Sequence, residues 1–472
     1  MSARLLTGGL MLALGSCVAV GPDYLKPAAI VPVHYEEIKG WKLASPRDEA
    51  RKGAWWRAFH DSELDRLEAT VAVSNQTLKA DEASYRQALA LISQARAGLL
   101  PTLNFDPTLT RSGPPGGNQL NAQIAGAWTL DVWGRVRRLI EENGAAAEAS
   151  AADLANATLA AQSALALAYM QVREADSLHD LFADTVRQYQ RSLDISTNQY
   201  NAGTAAKSDV ITAQALLLAA QAQEINVEVA RKQNEHAVAV LMGKPPSELS
   251  ISHRDLAESA PHPPLRLPSS LLERRPDIAA AERTMKQQNA AIGVAVAGYY
   301  PDITLSGAAG YAGDPFIKQL AGANPVWSYG VALAQPLFDA GSTAAQVEAA
   351  KAVYAASVAS YRQTVLSAFQ QVEDNLSAIL VYDRELKVQK QAVRIAQQAV
   401  QIALNEYRAG TQNFTTVVTA EATALSDEES LVSTKAARLA AAVSLIVALG
   451  GGWEATDLPV LASAAPPAAP AP

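Results

Sequence analysis

Chemistry in a protein starts from ionisable and nucleophilic side chains at fixed spacings, and this 472-residue chain holds few such arrangements. Its six histidines, His34, His60, His179, His236, His253 and His262, nowhere fall at the spacing of paired metal ligands. His179 lies on an otherwise apolar helical seam and reads as a polar interruption of it. There is no His-Glu-x-x-His, phosphate loop or nucleophile elbow, and Gly450-Gly451-Gly452 reads as a helix end. No enzyme activity, metal or bound cofactor is therefore expected. Lys and Arg total 39 against 47 Asp and Glu, a net charge of −8 with no basic stripe, which argues against a nucleic-acid partner.

The single cysteine carries more information. Arg4, an apolar run from Leu5 to Leu14 and the small pair Gly15-Ser16 lead directly to Cys17. The run is too short to span a bilayer, so residues 1–16 read as an export signal. A small pair before a lone cysteine resembles the bacterial lipobox, in which the mature chain begins at an acylated cysteine. A covalent lipid on Cys17 is expected, and with it export and lipid anchoring. No later segment reads as a transmembrane helix, and the residues around Leu445 to Leu449 read as a helix end.

The elements that must position everything else occur twice. Ala97-Gly98-Leu99-Leu100-Pro101 returns as Ala297-Gly298-Tyr299-Tyr300-Pro301, and Tyr200-Asn201-Ala202-Gly203-Thr204 as Tyr407-Arg408-Ala409-Gly410-Thr411. Leu130 and Gly134 recur as Leu337 and Gly341. A period of roughly 200 residues marks a folded half, not a solenoid unit. The chain divides into an N-terminal anchor and equatorial segment (17–61), a first repeat (62–243), a proline-rich linker (244–268), a second repeat (269–453) and an Ala/Pro tail expected to be disordered (454–472). Each repeat reads as helix, β-hairpin, very long helix, glycine turn and returning helix. The first helix is expected to run unbroken from Ser62 to Ala97.

The hairpins, about 102–133 and 301–338, alternate apolar and polar residues over strands of about ten residues, the length a tilted strand needs to cross a membrane. Four strands cannot close a barrel, and an open edge in lipid leaves backbone groups unpaired. Three protomers would supply twelve strands. The long helices, from near Arg135 to Tyr200 and near Ser342 to Tyr407, carry apolar residues in steps of three and four. That is a coiled-coil seam, and about 65 residues extend roughly 100 Å. Turns at about 201–207 and 408–414 send the chain back.

Taken together, these residues resemble the outer-membrane efflux protein family, TolC-like, in its lipoprotein branch often called NodT or OprM-like. The resemblance is carried by Val20-Gly21-Pro22-Asp23-Tyr24, by Leu130-Asp131-Val132-Trp133-Gly134-Arg135, by Leu271-Leu272-Glu273-Arg274-Arg275-Pro276-Asp277-Ile278, and by Leu449-Gly450-Gly451-Gly452-Trp453. It implies a mainly α fold with membrane β: a homotrimer whose twelve-stranded outer-membrane barrel continues into a long periplasmic helical barrel. It also implies partners, namely a periplasmic membrane-fusion adaptor, an inner-membrane pump of the RND type and outer-membrane lipid. The protein would be a passive exit duct for drugs or other small toxic compounds. The same duct serving type I protein secretion, or a lipid-anchored periplasmic scaffold without a channel, are the alternatives.

The resemblance further implies roles at the helical tips. Gly203, Thr204, Gly410 and Thr411 form the adaptor-docking turns. The periplasmic gate, where relatives carry aspartates, falls here on Thr416 and Thr419, with Asp209 in the first repeat at the place equivalent to Thr416 and with Tyr407 beside it. A gate held by an Asp209–Tyr407 hydrogen bond and lacking the carboxylate ring would be less cation-selective. Alternatively, Asp209 caps its returning helix.

Overall fold

The computed structural model describes residues 19–28, 32, 35–36, 54–113, 118–261, 274–313 and 324–453. The signal segment, Cys17, most of the N-terminal segment, part of the linker, the hairpin loops and the Ala/Pro tail lie outside these residues.

A short 3-10 turn, Trp55–Phe59, leads into helices α1 (Ser62–Ser74) and α2 (Gln76–Ala97). The unbroken helix expected from Ser62 to Ala97 is thus two. Asn75 separates them with extended backbone (ψ 125°), its Oδ1 accepting from Thr77 and Leu78 N–H and its Nδ2 donating to the Leu241 carbonyl. An asparagine that caps the next helix outcompetes continuation of the last one. Strands β1 (Thr102–Arg111) and β2 (Asn118–Leu130) follow, then α3 (Arg135–Asn201) and α4 (Lys207–Leu241). The second half repeats the order with α5 (Pro276–Ala297), β3 (Asp302–Gly313), β4 (Asn324–Ala334), α6 (Ser342–Arg408) and α7 (Phe414–Ala448).

α3 and α6 hold 67 residues each, which at 1.5 Å per residue is roughly 100 Å. Both start the same way. Gly134 and Gly341 turn through positive φ (79° and 86°), and an aspartate just upstream takes the free amide hydrogens of the first turn: Asp131 from Val136 and Arg137, Asp339 from Gly341 and Thr343.

The four strands form one antiparallel sheet in sequence order at one end of these helices. The main apolar core lies along the middle of the helices, where Trp55, Leu64, Leu67 and Val71 pack against Leu165, Tyr169, Val172, Tyr361, Val372 and Leu445. α7 corrects one expectation: by length and composition it is apolar enough to cross a membrane. Its apolar face is used otherwise, since Leu439, Ala442, Val443 and Leu445 are fully buried in this core. Between the repeats, the linker is strapped across α3 and α4. Asp176, fully buried, accepts from Arg173 (2.9 Å) and Arg231 (2.6 Å), and the same arginines hold the Ser252 and Ile251 carbonyls.

Candidate functional site

Two places bear on function, the sheet and the far helical tips. On the sheet, Leu103, Phe105, Leu109, Ile124, Trp327 and Val331 are all exposed and lie on one face. Their neighbours in sequence, such as Asn104, Asp106, Thr108, Gln123 and Ser328, point the other way because side chains alternate along a strand. The register matches this pattern, with Phe105 opposite Ile124 and Leu305 opposite Val331. β1 and β4 are the edges, and among the described residues nothing pairs with their outer sides. Aromatics mark the junction with the helices: Trp133 stacks on Tyr300 at 4.8 Å and donates to the Pro301 carbonyl at 2.8 Å. The N-terminal segment is tied here too, with Val20 N–H on the Trp133 carbonyl and Arg138 donating to Val20 O, Gly21 O and Asp23.

At the other end, both turns are built alike. Gly203 (φ 76°) and Gly410 (φ 72°) donate to the Tyr200 and Tyr407 carbonyls, and the next residues, Thr204 and Thr411, bind the Gln199 and Glu406 carbonyls through both N–H and Oγ1. Positive φ selects glycine, and the threonine satisfies a carbonyl that the helix end would leave free. All four turn residues therefore have a structural role at the tip.

The gate candidates separate into two groups. Tyr407, 3% exposed, lies against Phe414 (ring centroids 5.2 Å apart), and its hydroxyl donates to Asp209 Oδ2 at 3.3 Å. Burial, with the Asp209 carboxylate beside it, pushes the Tyr407 hydroxyl up to about 12. Asp209 does not cap its helix, whose N-cap is Ala206; it is the third helical residue, where a negative charge suits the helix dipole. Thr416 and Thr419 are both exposed and do not join this pair. The Thr416 hydroxyl is bound to Asn413 and Gln412, and that of Thr419 donates to the Thr415 carbonyl.

Beyond the Asp209–Tyr407 pair, sequence reasoning does not reach the contacts that join the repeats near the tips. Gln199 Nε2 donates to the Tyr407 and Arg408 carbonyls, and Ser192 Oγ donates to Glu421 Oε1 at 2.5 Å. Glu421 is 3% exposed, its Oε2 has no partner among the described residues, and burial pushes its carboxyl up to about 7, only partly offset by Ser192. His179 and His253 also meet, with ring centroids 5.9 Å apart and His253 Nε2 2.9 Å from Asp180. They belong to the linker strap. Among the described residues no three metal-binding side chains converge. No local signal could reveal these pairs, because each joins positions far apart in the chain.

The description "outer membrane efflux protein" fits residues 69–244 and 267–451, one match on each repeat. The chain belongs to that family. Relatives span almost its whole length. The toluene efflux pump outer membrane protein TtgC of Pseudomonas putida is 28% identical over 453 residues, 93% of each chain. The pyoverdine export outer membrane protein OpmQ of Pseudomonas aeruginosa is 30% identical over 439 residues, 88% of this chain and 91% of the relative. Among solved structures, the outer-membrane channel OprN superposes with a TM-score of 0.84 at 29% identity, covering 92% of this chain and 99% of that one.

Proposed function

We propose that three copies of this chain form the outer-membrane exit duct of a tripartite efflux system, receiving drugs or other small toxic compounds from an inner-membrane pump of the RND type through a periplasmic adaptor. The single observation that carries this reading is the sheet: four strands, apolar on one face, polar or small on the other, with both edges open. In lipid those edges cost several kcal/mol per unpaired group unless another copy covers them. The helices offer matching surfaces. Exposed Val381, Val388, Ile395 and Ile402 stand at seven-residue steps on α6, and exposed Ile211, Leu218 and Ile225 do so on α4. Each stripe is half of a coiled-coil seam. The twelve-stranded barrel would sit in the outer membrane, and the helices would reach roughly 100 Å toward the adaptor.

Lipid anchoring at Cys17 fits the same frame. Ala19, two positions later in the sequence, lies against Gly134 at the strand–helix junction, where the aromatics would meet the membrane face. At the tips, Gly203, Thr204, Gly410 and Thr411 would meet the adaptor. Tyr407 and Asp209 would hold the closed end, with Thr416 and Thr419 leaving the aperture without a carboxylate ring. Purified protein should appear as a trimer by native mass spectrometry and conduct in a planar bilayer. Thr416→Asp with Thr419→Asp should raise cation selectivity. A stable monomer that passes no current would overturn the duct and leave a periplasmic scaffold.

A further inference from the structure

The strap between the two repeats is fastened largely through charged side chains. Ile251 N–H donates to Glu235 Oε1 at 2.7 Å, Arg254 N–H to Asp176 Oδ2 at 3.2 Å and Leu256 N–H to Ser177 Oγ at 2.9 Å. Arg231 and Arg173 hold the Ile251 and Ser252 carbonyls. His253 sits in the middle of this row, and each of its ring nitrogens faces an acid of α3. Nε2 is 2.9 Å from Asp180 Oδ2, and Nδ1 is 3.3 Å from Asp176 Oδ1. A carboxylate can only accept, and a neutral imidazole has one N–H and one lone pair. Either neutral tautomer therefore turns a lone pair on a carboxylate oxygen, and only the imidazolium can donate to both. Burial alone would raise the Asp180 carboxyl, but its hydrogen bonds and charge contacts with His253 and His179 hold it below the usual carboxylate range. Asp176 is committed as an acceptor by Arg173 and Arg231.

We propose that His253 is a proton-operated clasp: its imidazolium locks residues 251–256 onto α3, and its deprotonation loosens them. Among the described residues, the charged and titratable groups around it are Arg173, Asp176, His179 and Asp180 of α3 and Arg231 and Glu235 of α4. Arg254 of the strap itself turns to Asp61. The three guanidiniums are thus spent on Asp176 and Asp61, and the two acids of α3 are the nearest charges to the ring. His179 lies beside it with its Nδ1 3.6 Å from Asp180 Oδ1, so it meets one acid where His253 meets two. The sign follows from the favoured form. A closed strap prefers the protonated ring, so the clasp is complete below the imidazole range and is lost as pH rises through it, between about pH 5 and 8. Its effect reaches both repeats, because Glu258 further along the strap pairs with Lys390 of α6 and Lys435 of α7. The clasp sets how firmly one half is tied to the other, and it does not depend on the duct reading.

Hydrogen exchange of the full-length protein reads the clasp at the Arg254 and Leu256 amides, once the ordinary pH dependence of exchange is divided out. Protection there should fall several-fold between about pH 5 and 8 in the unaltered chain. His253→Gln cannot gain a charge and should be weakly protected at both ends of that range. His253→Arg is a permanent cation and should stay protected at both. His179→Gln should keep the slope. The α7 residues around Glu421 serve as a control, since their response to pH should be the same in every variant. A strap equally protected at both pH values, or a slope that survives His253→Gln, would overturn the clasp. His253→Arg as weakly protected as His253→Gln would show that the shape of the ring and not its charge holds the strap, and would overturn it too.

Discussion

The two helical tips share a backbone and differ in almost everything around it. Gly203 and Gly410 take nearly the same φ, and Thr204 and Thr411 make the same carbonyl contacts. Yet Tyr200 is 43% exposed and its counterpart Tyr407 3%. Eleven residues past each glycine, Gln214 is exposed and Glu421 buried. The returning helices also begin differently: α4 starts from an uncapped Ala206 and places an acid in its first turn, while α7 starts from Asn413, whose side chain accepts from Thr416 N–H. The cause is tertiary. α7 packs against α3 of the first repeat as well as against its own partner α6, so its inner face is enclosed, whereas α4 leaves Ile211, Leu218 and Ile225 uncovered. A turn is set by local residues, and what it can hold is set by which helices surround it.

Truncating the two tyrosines should break the symmetry most. Tyr407→Ala is expected to cost about 3–5 kcal/mol in urea unfolding of the long helices, as for other buried aromatics, and Tyr200→Ala within about 0.5 kcal/mol. Equal losses would mean that the second tip is no better packed than the first. pH separates the tips next. Because burial raises the Glu421 carboxyl to about 7, above its ordinary value of 4.5, the folded tip is favoured while the group is protonated. That advantage is lost as pH rises from about 4.5 through 7, on the order of 3 kcal/mol when fully ionised. Glu421→Gln should remove this slope in hydrogen exchange across α7, and a slope that persists would assign it to another group.

The glycines should behave alike where the tyrosines do not. Gly203→Ala and Gly410→Ala each force a Cβ into positive φ without any clash, so both should cost about 1–2 kcal/mol in thermal unfolding. In the proposed duct, bulkier residues at either position should reduce export while the trimer persists. Smallest is the cap. Asn413→Ala should lose about 1 kcal/mol, and Ala206→Asn should gain a similar amount by giving α4 the cap it lacks, both measured by thermal unfolding.

Much of this is legible in the chain. The duplication, the alternating strands, the heptad steps and the Gly-Thr turns are patterns between near neighbours, and each element needs only its own residues to be recognised. The break at Asn75 escapes such reading because helical periodicity runs on through Ser74 to Gln76 while a single side chain redirects the backbone. The apolar stretch of α7 escapes it because hydropathy alone does not tell a core helix from a membrane one.

What the sequence determined by itself is the local scaffold: where helices start, where glycine turns them, which strand faces are apolar. These are short-range consequences of capping, φ preference and side-chain alternation. Only the tertiary structure decided that Ser192 meets Glu421, that Gln199 meets the Tyr407 and Arg408 carbonyls, that Asp176 gathers Arg173 and Arg231, and in which register β2 meets β3. Such contacts depend on how 67-residue helices lie against one another, and a small rotation along that length changes which side chains face at the far end.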